Sequence, residues 1–380
     1  MFEPSLAVQR IAANSERPTG RPGPEVISLA SGDPDFETPP HIRQALIDAL
    51  AAGYTHYADN QGDPELRAAL AAIASAAAGA EIAPQQVLVT HGGSAALTSA
   101  ILGVVNPGER VLIPEPTYSL YADLTRMIGA EPVFIPQTSN FHLDLDAIET
   151  EAAKGASLLV VCHPCNPTGV IYRNDELQAL GRLAEQYDLH VLADEAYDHI
   201  TFHGVPFTST LAIDELRERL IYCQTFSKTY AMTGWRIGYL IAPAPVTAAA
   251  ARIHRTLIGP MNSALQRAAL AAVTTESDWP ERMRVEYEAR RELVMELMAD
   301  VPGLSIRPPD GAFYAFIHYD GDTPPREIVS AALEQGVAIR GGTEYGPSGA
   351  GYVRIAFATD RRRLTDGLLR LRSVLAARSS

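Results

Sequence analysis

Cysteine is scarce in this 380-residue chain, which holds only Cys162, Cys165 and Cys223. So few thiols exclude a disulfide framework, and a hydrophobic content of 47% is ample for a buried core without one. Cys162-His163-Pro164-Cys165 has the spacing of a redox or metal pair. Nothing elsewhere completes a zinc site, and the adjoining Asn166-Pro167-Thr168-Gly169 accounts for the segment better. Long apolar runs are missing too. No stretch of about 18 apolar residues exists, so no membrane span is expected. Basic runs are short: Arg361-Arg362-Arg363 leads into an amphipathic terminal helix. With a formal net charge of -14, this argues against nucleic acid as the main partner. The N-terminus lacks the basic-then-apolar pattern of a secretion signal, and no internal repeat is found. The expectation is a soluble cytoplasmic protein of two domains, or one large α/β unit with an appendage.

What is present is a rhythm. Residues 1 to about 25, with Asn14, Pro18, Gly20, Pro22, Gly23 and Pro24, read as an irregular arm. Thr38 and Asp63 are expected to cap helices that carry Pro39 and Pro64 in their first turns. From about residue 85, short Val/Leu/Ile runs alternate with helical segments. Strands are expected near 87–89, 110–113, 133–135, 158–161 and 191–193. Helices are expected near 92–104, 118–128, 145–153 and 175–187. This βαβα order points to a largely parallel sheet with helices on both faces, and unbroken apolar runs fit strands buried on both sides. After about residue 245 longer helices appear near 246–255, 262–274 and 278–299. Shorter strands and two further helices follow, as in a smaller α+β domain.

The chemistry gathers around Thr225-Phe226-Ser227-Lys228, which follows the apolar run 220–223, with Arg236 farther on. A single lysine at a strand end, among hydroxyls and near a guanidinium, points to an amine that holds a phosphorylated carbonyl cofactor as a Schiff base. Other pieces are weaker alone. Asp194 follows the strand at 189–193 and could face a pyridine nitrogen, with Tyr197 near a ring phenolate; Asp194-Glu195 could equally cap the next helix. Asn166-Pro167-Thr168-Gly169 presents an amide or is an ordinary turn. Gly92-Gly93-Ser94 could cradle phosphate at a helix N-terminus, though many strand–helix turns carry two glycines. Tyr118 could stack on a flat cofactor or sit in a core. Arg354, inside the apolar strand 352–357, suits a carboxylate or snorkels to the surface.

Taken in order, these pieces resemble the class I/II aminotransferases of the pyridoxal-phosphate fold-type I family, aspartate aminotransferase-like, from about Leu29 to about Leu375. The Lys228 stretch is the most specific part of the likeness. The resemblance implies a large domain at 39–275, with a mostly parallel sheet between helices, that binds pyridoxal 5'-phosphate. It also implies a small α+β domain at 276–380 and an N-terminal arm with a small-domain segment at 1–38. It implies that Lys228 forms the internal aldimine and serves as the transamination base. Asp194 would pair with the pyridine nitrogen, and Tyr197 and Asn166 would contact the phenolic oxygen. Gly93, Ser94, Thr225, Ser227 and Arg236 would hold the phosphate, and Tyr118 would stack on the ring. Arg354, with Asn166 and the backbone of Gly32, would clamp the substrate carboxylate. Tyr57 would reach the phosphate of a neighbouring subunit, making a homodimer part of the site. The implied reaction moves an amino group from an L-amino acid to a 2-oxo acid by a ping-pong route.

Departures from the family pattern bear on substrate. Thr225 stands where glycine or serine is usual, Tyr118 where some relatives carry tryptophan, and Ala356 where serine is frequent. Arg340-Gly341-Gly342 replaces an apolar-Pro-Gly stretch. Arg126 or Arg340 could read a distal carboxylate. A fold-type I lyase performing β-elimination is the alternative enzyme. A cofactor-binding transcription regulator would need a DNA-binding domain ahead of Val26, where about 25 residues stand.

Overall fold

The computed structural model describes residues 2–13, 23–202 and 204–378. Seven strands form the principal sheet: β1 (Val87–Thr90), β2 (Arg110–Glu115), β3 (Glu131–Pro136), β4 (Leu158–Cys162), β5 (His190–Asp194), β6 (Leu220–Thr225) and β7 (Gly238–Ile241). Their spatial order is β1-β7-β6-β5-β4-β2-β3. All pairings among β2 to β6 are parallel, whereas β7 runs antiparallel to both β1 and β6. That reversal brings the first residue of β7, Gly238, opposite both Thr90 and Thr225. The start of β7 therefore meets the carboxyl ends of its neighbours.

Alternate residues of each strand enter opposite cores, as the period-two geometry of a strand requires. Val87, Leu159, Val161 and Val191 belong to one core, and Leu88, Leu158, Val160 and Leu192 to the other. A four-stranded antiparallel sheet in the order β10-β11-β9-β8 comprises β8 (Leu304–Ile306), β9 (Tyr314–Tyr319), β10 (Arg340–Gly341) and β11 (Tyr352–Ala356). It shares a third core with the helices Trp279–Met298, Pro325–Glu334 and Arg361–Ala376, and with Ile27 and Leu29. Ile27 and Ser28 also pair in parallel with Val337 and Ala338. The N-terminal stretch thus lies beside residues some three hundred positions downstream.

Three expectations are corrected. The arm is not wholly irregular: Leu6–Ala12 is a helix beside the helix Leu120–Met127. Asn14, Pro18, Gly20 and Pro22 lie outside the described residues. Thr38 does not cap a helix, which begins at Pro40; its hydroxyl instead donates to the Ala231 carbonyl at 2.7 Å. The helix after Tyr118 starts at Leu120, leaving Tyr118 in the preceding turn. Asp63, by contrast, accepts from the backbone amides of Glu65 and Leu66 at the head of Pro64–Ala78, as the Asp-Pro pair predicts.

No described helix is long and apolar enough to cross a membrane.

Candidate active site

A cavity of about 510 Å³ opens where the carboxyl ends of the parallel strands meet the second sheet. Crevices at this edge are where open α/β sheets place ligands. Gly32, Gly93, Ser94, Tyr118, Asn166, Asp194, Tyr197, Thr225, Ser227, Lys228, Arg236, Arg340 and Arg354 all line it. Tyr57 does not. It is 94% exposed and held by a single antiparallel bridge to Asn262. Arg126 lines an adjoining cavity of about 290 Å³ that shares Tyr118, Glu344 and Tyr345 with the first.

Lys228 lies in the single turn Phe226–Thr229 that caps β6, with Thr225 as its N-cap. Its Nζ donates to the Gly32 carbonyl at 2.6 Å. Burial lowers the amine's pKa from its usual 10.5 to about 8; Asp33 and Asp194 oppose the fall, and Arg236 and Arg354 add to it. More of this lysine is therefore neutral near pH 8 than of an ordinary one. Asp194, the last residue of β5, is buried. Burial raises its pKa, while the Tyr121 hydroxyl, the Ala196 amide and the Lys228 charge pull it back. The Tyr197 hydroxyl meets that of Tyr314 at 2.9 Å.

The opposite wall is cationic. Arg354 is 5% exposed and points from β11 into the cavity. Its guanidinium donates to Asn166 Oδ1 at 3.3 Å and to the Ala30 carbonyl, and its Nε has no partner. It lies over the Tyr314 ring at 4.3 Å. Among the described residues no carboxylate is within ion-pair distance of it. A buried cation in that condition is expensive unless a ligand supplies the anion.

At the third corner the helix Gly92–Val104 presents its N-terminus. Gly92 has φ +78°, and a Cβ there would fall 2.5 Å from an Arg236 nitrogen. The positive φ is what calls for glycine here, since the arginine tip could move aside. Thr225 Oγ1 donates to Ser227 Oγ at 2.9 Å and accepts from the Ser227 amide at 3.2 Å. Amides without intrahelical partners, two hydroxyls and a guanidinium form a cup suited to a phosphate dianion.

Sequence reasoning missed several participants. Tyr121 donates to Asp194, Tyr314 bonds Tyr197, and Glu344 pairs with Arg340 at 3.4 Å. A cue existed for Tyr121 in the expected helix 118–128, where it stands three residues beyond Tyr118, a helical spacing that puts side chains on one face. Tyr314 and Glu344 come from remote segments and gave no local signal.

The family model for "Aminotransferase class I and II" matches residues 24–371. The chain belongs to that family. It is a pyridoxal 5'-phosphate-dependent transaminase. It is 34% identical to an aspartate aminotransferase of Pyrococcus horikoshii, over 92% of this chain and 91% of that protein. It is also 34% identical to aromatic-amino-acid aminotransferase 2 of Thermococcus litoralis, over 92% of each. A multiply substituted aspartate aminotransferase of Thermus thermophilus superposes with a TM-score of 0.89 at 32% identity, covering 99% of this chain and 100% of that one. The residues fit the cofactor. A buried carboxyl for a ring nitrogen, an amine for a carbonyl and a cup for a phosphate all open on one cavity.

Proposed function

We propose that this transaminase binds pyridoxal 5'-phosphate with its phosphate on Gly93, Ser94, Thr225, Ser227 and Arg236. In this reading the ring stacks on Tyr118, Asp194 meets its nitrogen, and Tyr197 and Asn166 meet its phenolic oxygen. The bound group supplies an electron sink for the bond broken at the substrate Cα. Arg354 clamps the α-carboxylate of the incoming amino acid, with Asn166 and the Gly32 backbone beside it. The fork of a buried guanidinium fixes the orientation of Cα. Lys228 Nζ, in its neutral form, would take the Cα proton and return it on the far side of the transfer. The lowered amine pKa supports that role, because only the neutral amine can accept a proton. The amino group then passes to a 2-oxo acid in a second half-reaction.

The observation that carries this reading is the pairing of a half-buried amine with a buried guanidinium that lacks a carboxylate, across one cavity. The division into segments 1–38, 39–275 and 276–380 is supported by Ile27 and Leu29 sharing a core with the second sheet. A homodimer is proposed in which Tyr57 completes the neighbour's phosphate site; its exposure, beside Tyr54, Leu257 and Ile258, supports this. A cytoplasmic location is proposed with it. The distal part of the cavity holds Arg340, which supports an acidic donor.

The test is Lys228→Ala, together with a donor panel using pyruvate, 2-oxoglutarate and oxaloacetate as acceptors. The variant should lose covalent cofactor attachment and turnover, and the wild type should stay silent without an acceptor. Release of ammonia and pyruvate in the absence of an acceptor would instead mark a lyase. A colourless wild type that cannot be reconstituted would overturn the assignment.

A further inference from the structure

The turn that opens the helix Gly92–Val104 is held from two sides. On one side is β7: a Cβ on Gly238 would fall 2.7 Å from the Gly93 amide nitrogen and 2.8 Å from the Gly92 carbonyl carbon. On the other is a histidine pair. His91, at the N-cap position, makes no side-chain cap. Its backbone amide donates to Nε2 of His254 at 3.4 Å, and its Nδ1 stands 3.2 Å from the same nitrogen. The two rings stack with centroids 5.3 Å apart and planes inclined by 27°. His254 comes from the last turn of the helix Ala244–Leu257 and is 0% exposed.

A backbone N–H can only donate, so where it meets Nε2 of His254 that nitrogen is the acceptor, the ring is neutral with its proton on Nδ1, and the shorter contact is a hydrogen bond from the His91 Nδ1–H. The His254 Nδ1 is buried without a partner. A buried polar atom left unmatched is costly. Burial, with His91 beside it, lowers the His254 pKa to about 4, which keeps the Nε2 lone pair available. The other elements packed on the pair, the helix Gly92–Val104, β1 and the turn Pro84–Gln86, carry no charged side chain.

We propose that His254 is a positioning residue for the cofactor phosphate, its Nε2 holding the His91 amide and so fixing the turn that aims the Gly93 and Ser94 amides into the cavity. The inference rests on the reading of that turn as the phosphate cradle. It assigns to a buried histidine, outside the cavity, a role that local sequence does not suggest.

The full-length chain is prepared free of cofactor as wild type, His254→Ala, His254→Gln and His91→Ala. Affinities for pyridoxal 5'-phosphate and for pyridoxal, which lacks the phosphate, are measured by equilibrium dialysis. The wild type prefers the phosphorylated form. His254→Ala loses roughly five- to tenfold of that preference, the worth of one hydrogen bond, and leaves pyridoxal binding unchanged. His254→Gln, whose amide oxygen can accept from His91, recovers most of it. His91→Ala keeps the backbone donor and retains the preference. If thermal unfolding shows that His254→Ala is not folded, His254→Leu, which retains bulk but no acceptor, takes its place. A wild-type preference in the acceptor-less variant overturns the inference, as does an equal loss for both ligands or an equal loss in His91→Ala. A wild type that binds both ligands alike overturns the cradle reading itself.

Discussion

Tyr121 donates a hydrogen bond of 2.8 Å to Oδ2 of Asp194 from a fully buried position, and its ring meets that of Tyr118 edge-on at 5.7 Å. One side chain thus links the carboxylate at the end of β5 to the aromatic proposed to stack on the cofactor. Burial alone would drive Asp194 toward its neutral form, and the Tyr121 bond is the foremost influence holding it anionic. Tyr121→Phe keeps the ring contact and removes the bond. Bonds to charged groups contribute about 1.5–3 kcal/mol, so kcat should fall roughly tenfold or more. The KM for the amino acid should change little. Steady-state kinetics and a cofactor titration of the apo form check this, and an unchanged kcat would refute it.

Lys228 yields a prediction in pH. Its amine titrates near 8 rather than 10.5, chiefly through burial, and only the neutral form attacks a carbonyl. The rate at which the apo chain acquires covalently held cofactor should rise with pH, bend near 8 and level off above it. Stopped-flow absorbance, following the yellow colour as it develops, reads this directly. A rate that keeps climbing to the ordinary lysine range would show that the site does not depress the amine.

Glu195 offers a stability test away from the chemistry. It is fully buried; Oε1 accepts from both the amide and the hydroxyl of Thr210 at 2.6 Å, and Oε2 has no partner. Burial raises its pKa from 4.5 to about 8. A carboxyl with a raised folded pKa binds its proton more tightly folded than unfolded. Its contribution is therefore fullest below the unfolded value and is lost as pH climbs from about 4.5 to about 8. Glu195→Gln mimics the neutral acid and should flatten that fall, melting a few degrees higher than wild type at pH 8. Calorimetry at pH 5 and pH 8 decides it; parallel pH profiles would sink the idea.

Arg340 and Arg354 face each other across the β10–β11 pair, and Arg340 also reaches Glu344 at 3.4 Å. Arg126 lies in the adjoining cavity, 3.9 Å from Asp123 and beside the Phe134 ring. Location therefore favours Arg340 as the reader of a distal carboxylate. Arg340→Ala should raise KM for acidic donors roughly tenfold relative to aromatic ones, the scale of one charge-assisted bond. An unaltered acidic-to-aromatic ratio would count against it.

How far the chain could be read in advance follows from where each signal lives. Local signals were legible: Asp63 ahead of Pro64, the buried apolar runs of β1, β2 and β4 to β6, and the lysine at the end of β6 all speak through near neighbours; β3, at the sheet edge, buries only Ile135 of its run. The antiparallel course of β7 was not, because strand direction depends on a connection that leaves no periodicity behind. Thr38 looked like a cap because Thr-Pro-Pro is a cap pattern, yet a carbonyl almost two hundred residues away, at Ala231, claimed its hydroxyl. The lining residues Tyr314 and Glu344 were invisible for the same reason: the second sheet delivers them from segments whose own sequence explains them as core or turn. The histidine pair joins two helices and could be seen only once they were packed.

The scarcity of lysine has a practical side. The chain contains just two lysines, and the other, Lys154, stands well exposed on the surface, ion-paired with Glu151 at 2.6 Å. With the cofactor held on Lys228, reagents directed at lysine side chains should therefore find a single free handle on the folded protein. Lys154 is a ready anchor for tethering or tagging the molecule, and a second modified lysine reports that Lys228 stands free of cofactor.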